Sequence, residues 1–93
     1  MIFQPAAATA EITISARRHG VTPNEMLYII NNPVEVHPES DKFGEDVYRF
    51  IGFRNANDND LYEVLVKPIN YDRTMVIYHA QNTGRRLENN HAL

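Results

Sequence analysis

The spacing of apolar residues changes from a helical period to a period of two after Pro33. Apolar and polar residues then alternate, and the alternating runs are rich in aromatic and β-branched side chains, which is typical of strands. Short polar runs separate them, of which Asn55–Asp60 and Asn70–Asp72 have the composition of turns. Connections this short permit hairpins only, so we expect an antiparallel sheet. Its predicted strands are Val34–Val36, Val47–Phe53, Leu61–Lys67 and Met75–Ala80.

Two helices are predicted before Pro33. The first runs from Thr9 to about His19, with Ile12 and Ala16 on one face, and ends at Gly20. The alternation Ile12-Thr13-Ile14 also fits the start of a strand, and this alternative stays open.

The second helix has the clearest local signal in the chain. Thr22 is in position to cap it, Pro23 occupies the first helical position, and Glu25 completes a capping box. The helix runs from Glu25 to about Asn31, with its apolar side formed by Met26, Ile29 and Ile30. The Asn-Asn-Pro sequence at 31–33 ends it.

These elements predict one α+β domain over residues 9–88, with two N-terminal helices packed on a curved antiparallel sheet of three to four strands. A short C-terminal helix fits the polar residues from Arg85 to Glu88. Residues 1–8 are Ala-rich and unpatterned, so we expect a loose arm. Residues 89–93 are expected to form a frayed tail.

Composition limits the class of protein. The chain has 93 residues, an apolar fraction of 43% and no cysteine, which suits a single packed core without disulfides. No apolar run approaches the roughly 18 residues of a membrane span, and the N-terminus lacks the features of a signal peptide. We therefore expect a cytoplasmic protein without membrane contact.

Charge is unevenly distributed along the chain. The net charge is −3, but residues 21–66 hold nine acidic and three basic residues, whereas both ends are slightly basic. The overall charge is unlike the basic face of a general nucleic-acid binder. A local basic site built from the two ends of the chain remains compatible with it.

The high-specificity catalytic motifs are absent. The sequence contains no phosphate loop, dinucleotide fingerprint, nucleophile elbow or metal-ligand spacing. Its four histidines, His19, His37, His79 and His91, are too scattered to predict a metal site. No cofactor is therefore expected.

Strand parity predicts one ionisable constellation. Arg49, Glu63 and His79 are odd-numbered residues of three successive predicted strands, so in a common register they share one face of the sheet. Such a face could bring together an acid, a base and a phosphate-binding group. The simpler interpretation is that Arg49 and Glu63 form a cross-strand ion pair, with His79 on the rim. A bulge, for which Gly52 is a possible place, would turn one of the three away.

Basic residues near both ends are the candidates for phosphate binding. Arg17, Arg18 and His19 lie at the end of the first predicted helix, and Arg85 with Arg86 lies near the C-terminus. They also fit ordinary roles, because cations favour a helix C-terminus and solubilise a surface.

Four motifs, taken in order, resemble a known family. Arg18–Glu25, followed by Asn32-Pro33, resembles the "KHGI(S/T)xEE…(N/D)P" opening of BrnT-like toxins. Gly44–Arg49 with Gly52 is similar to that family's "GExRYxxxG" strand. His79–Gln81 stands where the family has "SAR", and Arg85–Glu88 where it has a basic "RRE"-like helix. The resemblance covers residues 16 to 88.

BrnT-like toxins are small ribonucleases of bacterial type II toxin–antitoxin modules with a RelE/ParE-like fold. The resemblance implies a metal-independent endoribonuclease that acts on mRNA, free or at the ribosome, and is held inactive by an antitoxin protein. Its catalytic residues would be His79, Glu63 and Arg49, and its RNA-binding residues Arg85, Arg86, Arg17, Arg18 and His19.

This chain also departs from the family pattern. Gln81 replaces the arginine of "SAR", Val47 replaces the arginine before the tyrosine, and the net charge is acidic. These departures favour an alternative function, a non-catalytic domain that keeps the fold and binds a protein through an edge strand or groove.

Overall fold

A computed structural model describes residues 3–89. Its centre is a five-stranded mixed sheet with the spatial order β1-β5-β4-β3-β2. The strands are β1 (Thr9–Ile12), β2 (Glu35–Ser40), β3 (Asp46–Gly52), β4 (Asp60–Ile69) and β5 (Thr74–Arg86). One α-helix is present in this part of the chain, α1 (Pro23–Asn31), with short 3₁₀ helices at Pro5–Ala7 and Ser15–His19.

The helix α1 confirms the predicted capping box. The Glu25 amide donates to the Thr22 hydroxyl at 3.2 Å, and the Thr22 amide donates to the Glu25 carboxylate at 2.9 Å. Met26, Ile29 and Ile30 are buried against the sheet. The end of α1 comes close to Gly52 of β3, where a Cβ would lie 3.3 Å from the Asn32 carbonyl oxygen. A glycine on β3 therefore lets the helix lie flat on the sheet.

The predicted arrangement of two helices on a purely antiparallel sheet is wrong. Thr9–Ile12 forms β1, which pairs in parallel with β5, and a 3₁₀ helix covers only Ser15–His19. The half-buried Ala10 and Ile12 pack against the core, so period-two burial prevails over the weak helical spacing. The alternative of a strand at Ile12-Thr13-Ile14 was closer, although the strand starts earlier.

The C-terminal segment also differs from the prediction. Arg85 and Arg86 belong to β5 rather than to a helix, because β4 starts at Asp60 and pairs with Arg86. The Thr83 hydroxyl donates to the Leu61 carbonyl at 2.8 Å and fastens this extension of β5. β5 therefore extends beyond the residues that the apolar pattern predicts.

The ends of the described region are held by contacts. Phe3, predicted to lie in a loose arm, is buried and stacks on Tyr48 with ring centroids 5.5 Å apart. Of the predicted tail, Asn89 is described, and its side-chain amide donates to the carbonyls of Ala56 and Asp58. The rest of that tail, with His91, lies outside the described residues.

The two faces of the sheet differ in what they contact. One, which we call the covered face, packs against α1 and forms the main core; its sheet residues are Phe50, Tyr62, Val64, Val66, Met75, Ile77 and Ala80. The opposite face, which we call the open face, presents mostly half-buried polar and apolar residues, among them Arg49, Glu63, Lys67, Tyr78 and His79. A smaller buried cluster, Ile51, Phe53 and Leu61, lies where the end of β3 meets the start of β4.

Candidate functional site

Three strands bring the predicted constellation together on the open face. Glu63 of β4 lies between the other two residues: its Oε1 is 2.8 Å from Nη1 of Arg49, and its Oε2 is 2.9 Å from Nε2 of His79. The side chains are 16% exposed for Glu63, 28% for Arg49 and 27% for His79. They are therefore sheltered enough to be ordered and still reachable from solvent.

A β-bulge in β5 puts His79 on this face. Leu65 pairs with His79 while Val66 pairs with Ile77, so Tyr78 is an extra residue in the ladder. Ile77 is fully buried on the covered face. Without the bulge, the period of two would have turned His79 to the covered face as well. Simple parity thus grouped the three ionisable residues correctly, but by the same parity Met75 and Ile77 would share their face, whereas both are buried on the covered face.

Arg49 has a second carboxylate partner, which the sequence interpretation missed. Glu39 of β2 accepts from Nε of Arg49 at 2.9 Å and from Nη2 at 3.1 Å. Hydrogen bonding to Arg49 lowers the pKa of Glu39, and the same bond raises the pKa of Arg49. The guanidinium is therefore held between two acidic residues.

The alternation Glu35, His37, Glu39 could have revealed this partner. These residues point to one side of β2, which extends through Pro38 to Ser40. The predicted strand stopped at Val36 because Pro38 follows, although an edge strand tolerates proline. Gln81 was also missed as a neighbour; its Nε2 lies 3.5 Å from Oε2 of Glu63.

The predicted basic residues are divided between two places. Arg85 reaches across to β2, where its Nη2 lies 2.9 Å from Oε2 of Glu35, and Arg86 contacts Asp60 at 3.2 Å. The bond from Arg85 lowers the pKa of Glu35 to about 2. Arg17 and Arg18 are exposed on the 3₁₀ helix Ser15–His19, which packs against β5 rather than β2.

His19 belongs with the constellation rather than with the peripheral cations. Its ring centroid lies 6.0 Å from that of His79, with an interplanar angle of 67°. Two imidazoles, a carboxylate and a guanidinium are thus neighbours on one solvent-reachable surface. Their combination can accept a proton, donate a proton and contact an anion.

A groove of about 480 Å³ lies beside this cluster on the open face. Val76, Tyr78 and Phe43 supply its apolar lining, and Lys67 and Asp41 its polar groups. Burial raises the pKa of Tyr78, so its hydroxyl stays protonated at neutral pH. The groove can accommodate part of a bound molecule next to the ionisable residues.

The part of the chain that the structure describes has no group of three His, Cys, Asp or Glu side chains suited to a metal ion. Within residues 3–89, no helix is long and apolar enough to cross a membrane. No protein family, curated protein or solved structure matches this chain. The side chains themselves are therefore the basis for assigning a function.

Proposed function

We propose that this chain is an RNA-cleaving domain that acts as the toxin of a type II toxin–antitoxin module. The observation that carries the proposal is Glu63 bridging His79 and Arg49 on a solvent-reachable sheet face. The ordered motifs that resemble BrnT-like toxins agree with it. The substrate would be mRNA, free or on the ribosome, and the partner an antitoxin protein.

His79 and Glu63 together fit the role of a general base. An ionised carboxylate only accepts hydrogen bonds, so Glu63 holds the proton of His79 on Nε2 and leaves Nδ1 as the acceptor. That nitrogen can take the proton of a ribose 2′-hydroxyl as the oxygen attacks the adjacent phosphorus. Glu63 then stabilises the imidazolium that forms.

Arg49 fits the role of the phosphate contact. A guanidinium binds phosphate oxygens through paired N–H donors and stabilises the charge that develops on them. Glu39 occupies two of these donors in the free protein. RNA binding in this proposal therefore includes displacement of the Glu39 carboxylate from Arg49.

Growth arrest and RNA cleavage test the proposal. Expression of the wild type without its antitoxin should arrest growth, and the purified protein should cleave single-stranded RNA. His79→Ala and Arg49→Ala should each abolish both effects, because general acid–base catalysis and stabilisation of the developing charge on phosphate each contribute at least about 10²-fold. The thermal midpoint should stay close to that of the wild type.

One residue on the same face provides a matched control. His37 contacts Glu35 at 2.9 Å, as His79 contacts Glu63. His37→Ala should therefore retain activity. A wild type that neither arrests growth nor cleaves RNA would refute the enzymatic function.

A protein-binding domain is the second candidate, and the neutralised cations favour it. Arg49 and Arg85 are both paired with glutamates of β2, so each would have to leave a carboxylate in order to contact RNA. Val36 on the edge strand and Phe43 beside the groove are exposed apolar side chains. An inactive wild type whose complex with the product of the adjacent gene is lost in Phe43→Ser would support this candidate.

A further inference from the structure

The 3₁₀ helix Ser15–His19 is fastened to β5 at the bulge. The Thr13 amide donates to the Ile77 carbonyl at 3.0 Å, and the Ser15 hydroxyl donates to the Tyr78 carbonyl at 3.2 Å. Ala16, within this 3₁₀ helix, is fully buried, and its amide donates to the Thr13 hydroxyl. These contacts fix the turn from which His19 extends.

The same bulge therefore positions both imidazoles. It turns His79 to the open face, and the carbonyl of the extra residue Tyr78 accepts the bond from Ser15. Gly20 then adopts a left-handed backbone with φ of 77°, which redirects the chain immediately after His19. The backbone of the bulge on one side and of the turn at Gly20 on the other thus hold the two rings with their centroids 6.0 Å apart.

The two histidines differ in their surroundings. His79 is half-buried, and its Nε2 contacts the Glu63 carboxylate, which leaves Nδ1 as the nitrogen that can accept a proton. His19 is exposed on its 3₁₀ helix, close to Arg17 and Arg18, and can exchange protons with water. Metal-free cleavage of RNA needs one group to remove a proton and another to supply one.

We propose that His19 is a catalytic residue, the general acid that protonates the leaving 5′-oxygen, while His79 acts as the base. This inference rests on the proposed function and assigns to His19 more than phosphate binding. His79 takes the 2′-hydroxyl proton as the bond between the 2′-oxygen and phosphorus forms. The bond from phosphorus to the 5′-oxygen breaks with its electron pair on oxygen, and this oxygen takes the proton of His19.

The proposal also defines the substrate class and the products. The nucleophile is the 2′-hydroxyl, so the substrate is RNA and not DNA. The products are one strand ending in a 2′,3′-cyclic phosphate and another beginning with a 5′-hydroxyl. No co-reactant is consumed, and the two histidines exchange their protonation states during the step, to be restored through water.

A substrate that needs no general acid isolates this role. In a short single-stranded RNA, one bridging 5′-oxygen is replaced by sulfur, because a thiolate leaves without prior protonation. His19→Ala should slow cleavage of the all-oxygen RNA by about 10²- to 10⁴-fold and slow the sulfur substrate far less. His79→Ala should slow both substrates, because both still need the base.

The controls keep the outcomes distinct. His37→Ala should cleave both substrates at the wild-type rate, and His19→Gln should behave as His19→Ala does. Because His19 is exposed, thermal melting of its variants should match the wild type. Equal losses on both substrates, or no loss on either, would overturn the role of His19 while cleavage by the wild type upheld the proposed function. A wild type inactive on both substrates would overturn both.

Discussion

The covered and open faces of the sheet are built from the same three strands but have different compositions. On the covered face, alternate residues of β3, β4 and β5 are apolar and almost inaccessible to water, and α1 packs on them. On the open face, the intervening residues of these strands join Glu39 of β2 in a chain of half-buried ion pairs that runs from Glu39 through Arg49 and Glu63 to His79.

This difference assigns stability mainly to the covered face and the ionisable groups to the open face. Burial of apolar surface contributes roughly 25 cal/mol per Å², whereas an exposed ion pair contributes about 0–1 kcal/mol. The covered face should therefore account for most of the stability. The open face can hold charged groups in contact because the sheet beneath them is already stabilised from the other side.

Truncation of a valine on each face should show the largest contrast. Val64 is fully buried on the covered face, and Val76 is half-buried on the open face. Val64→Ala should lower the free energy of unfolding by about 2–3 kcal/mol, since it combines lost burial with a cavity. Val76→Ala should cost roughly 1 kcal/mol or less. Urea unfolding measures both, and equal losses would contradict the assignment of the two faces.

Loss of the helix cap should have an intermediate effect. Thr22→Ala removes the acceptor for the Glu25 amide and should destabilise the protein by about 1 kcal/mol. Thr9→Ala, at an exposed position of β1, is the control and should change stability by less than about 0.5 kcal/mol. Because the cap supports the covered face alone, Thr22→Ala should leave the proposed RNA cleavage at the wild-type rate. An unchanged urea midpoint would show that the cap contributes nothing.

The ion pair between Glu35 and Arg85 should produce the smallest effect, visible as a pH dependence. The pKa of Glu35 falls from its ordinary 4.5 to about 2 in the folded protein, chiefly through the hydrogen bond from Arg85. Its stabilisation is therefore complete above about pH 4.5 and disappears as the pH falls toward 2. The stability difference between the wild type and Glu35→Gln should follow this course in acid titrations.

Arg85→Ala provides the check on that pair. Arg85→Ala should lose the same pH-dependent stability relative to the wild type as Glu35→Gln does. The double variant Glu35→Gln/Arg85→Ala should be no less stable than either single variant. A difference that persists at the acid end of the titration would mean that Glu35 stabilises the fold by another route.

Local chemistry made part of this structure predictable. The capping box at Thr22 involves residues three apart, and its hydrogen bonds form wherever the helix forms. The apolar alternation of β3, β4 and β5 likewise identified the central strands. The closeness of Arg49, Glu63 and His79 was also predicted, although its correct outcome depended on a bulge that nothing in the sequence marks.

The elements that prediction missed all depend on distant residues. β1 forms because Thr9–Ile12 pairs with β5, more than sixty positions away along the chain. The alternation within β1 is too short to identify the strand from the sequence. β2 continues through Pro38 because an edge strand has a free side. Arg85 and Arg86 are extended because β4 starts early enough to pair with them.

By itself, the sequence determined the capped helix, the turns and the alternation that makes the sheet two-faced, because these depend on neighbours a few residues apart. Tertiary structure decided the parallel partner of β1, the bulge at Tyr78, and hence the meeting of His19 with His79. A ladder register is the outcome of all cross-strand contacts taken together, and one inserted residue reverses every side chain after it.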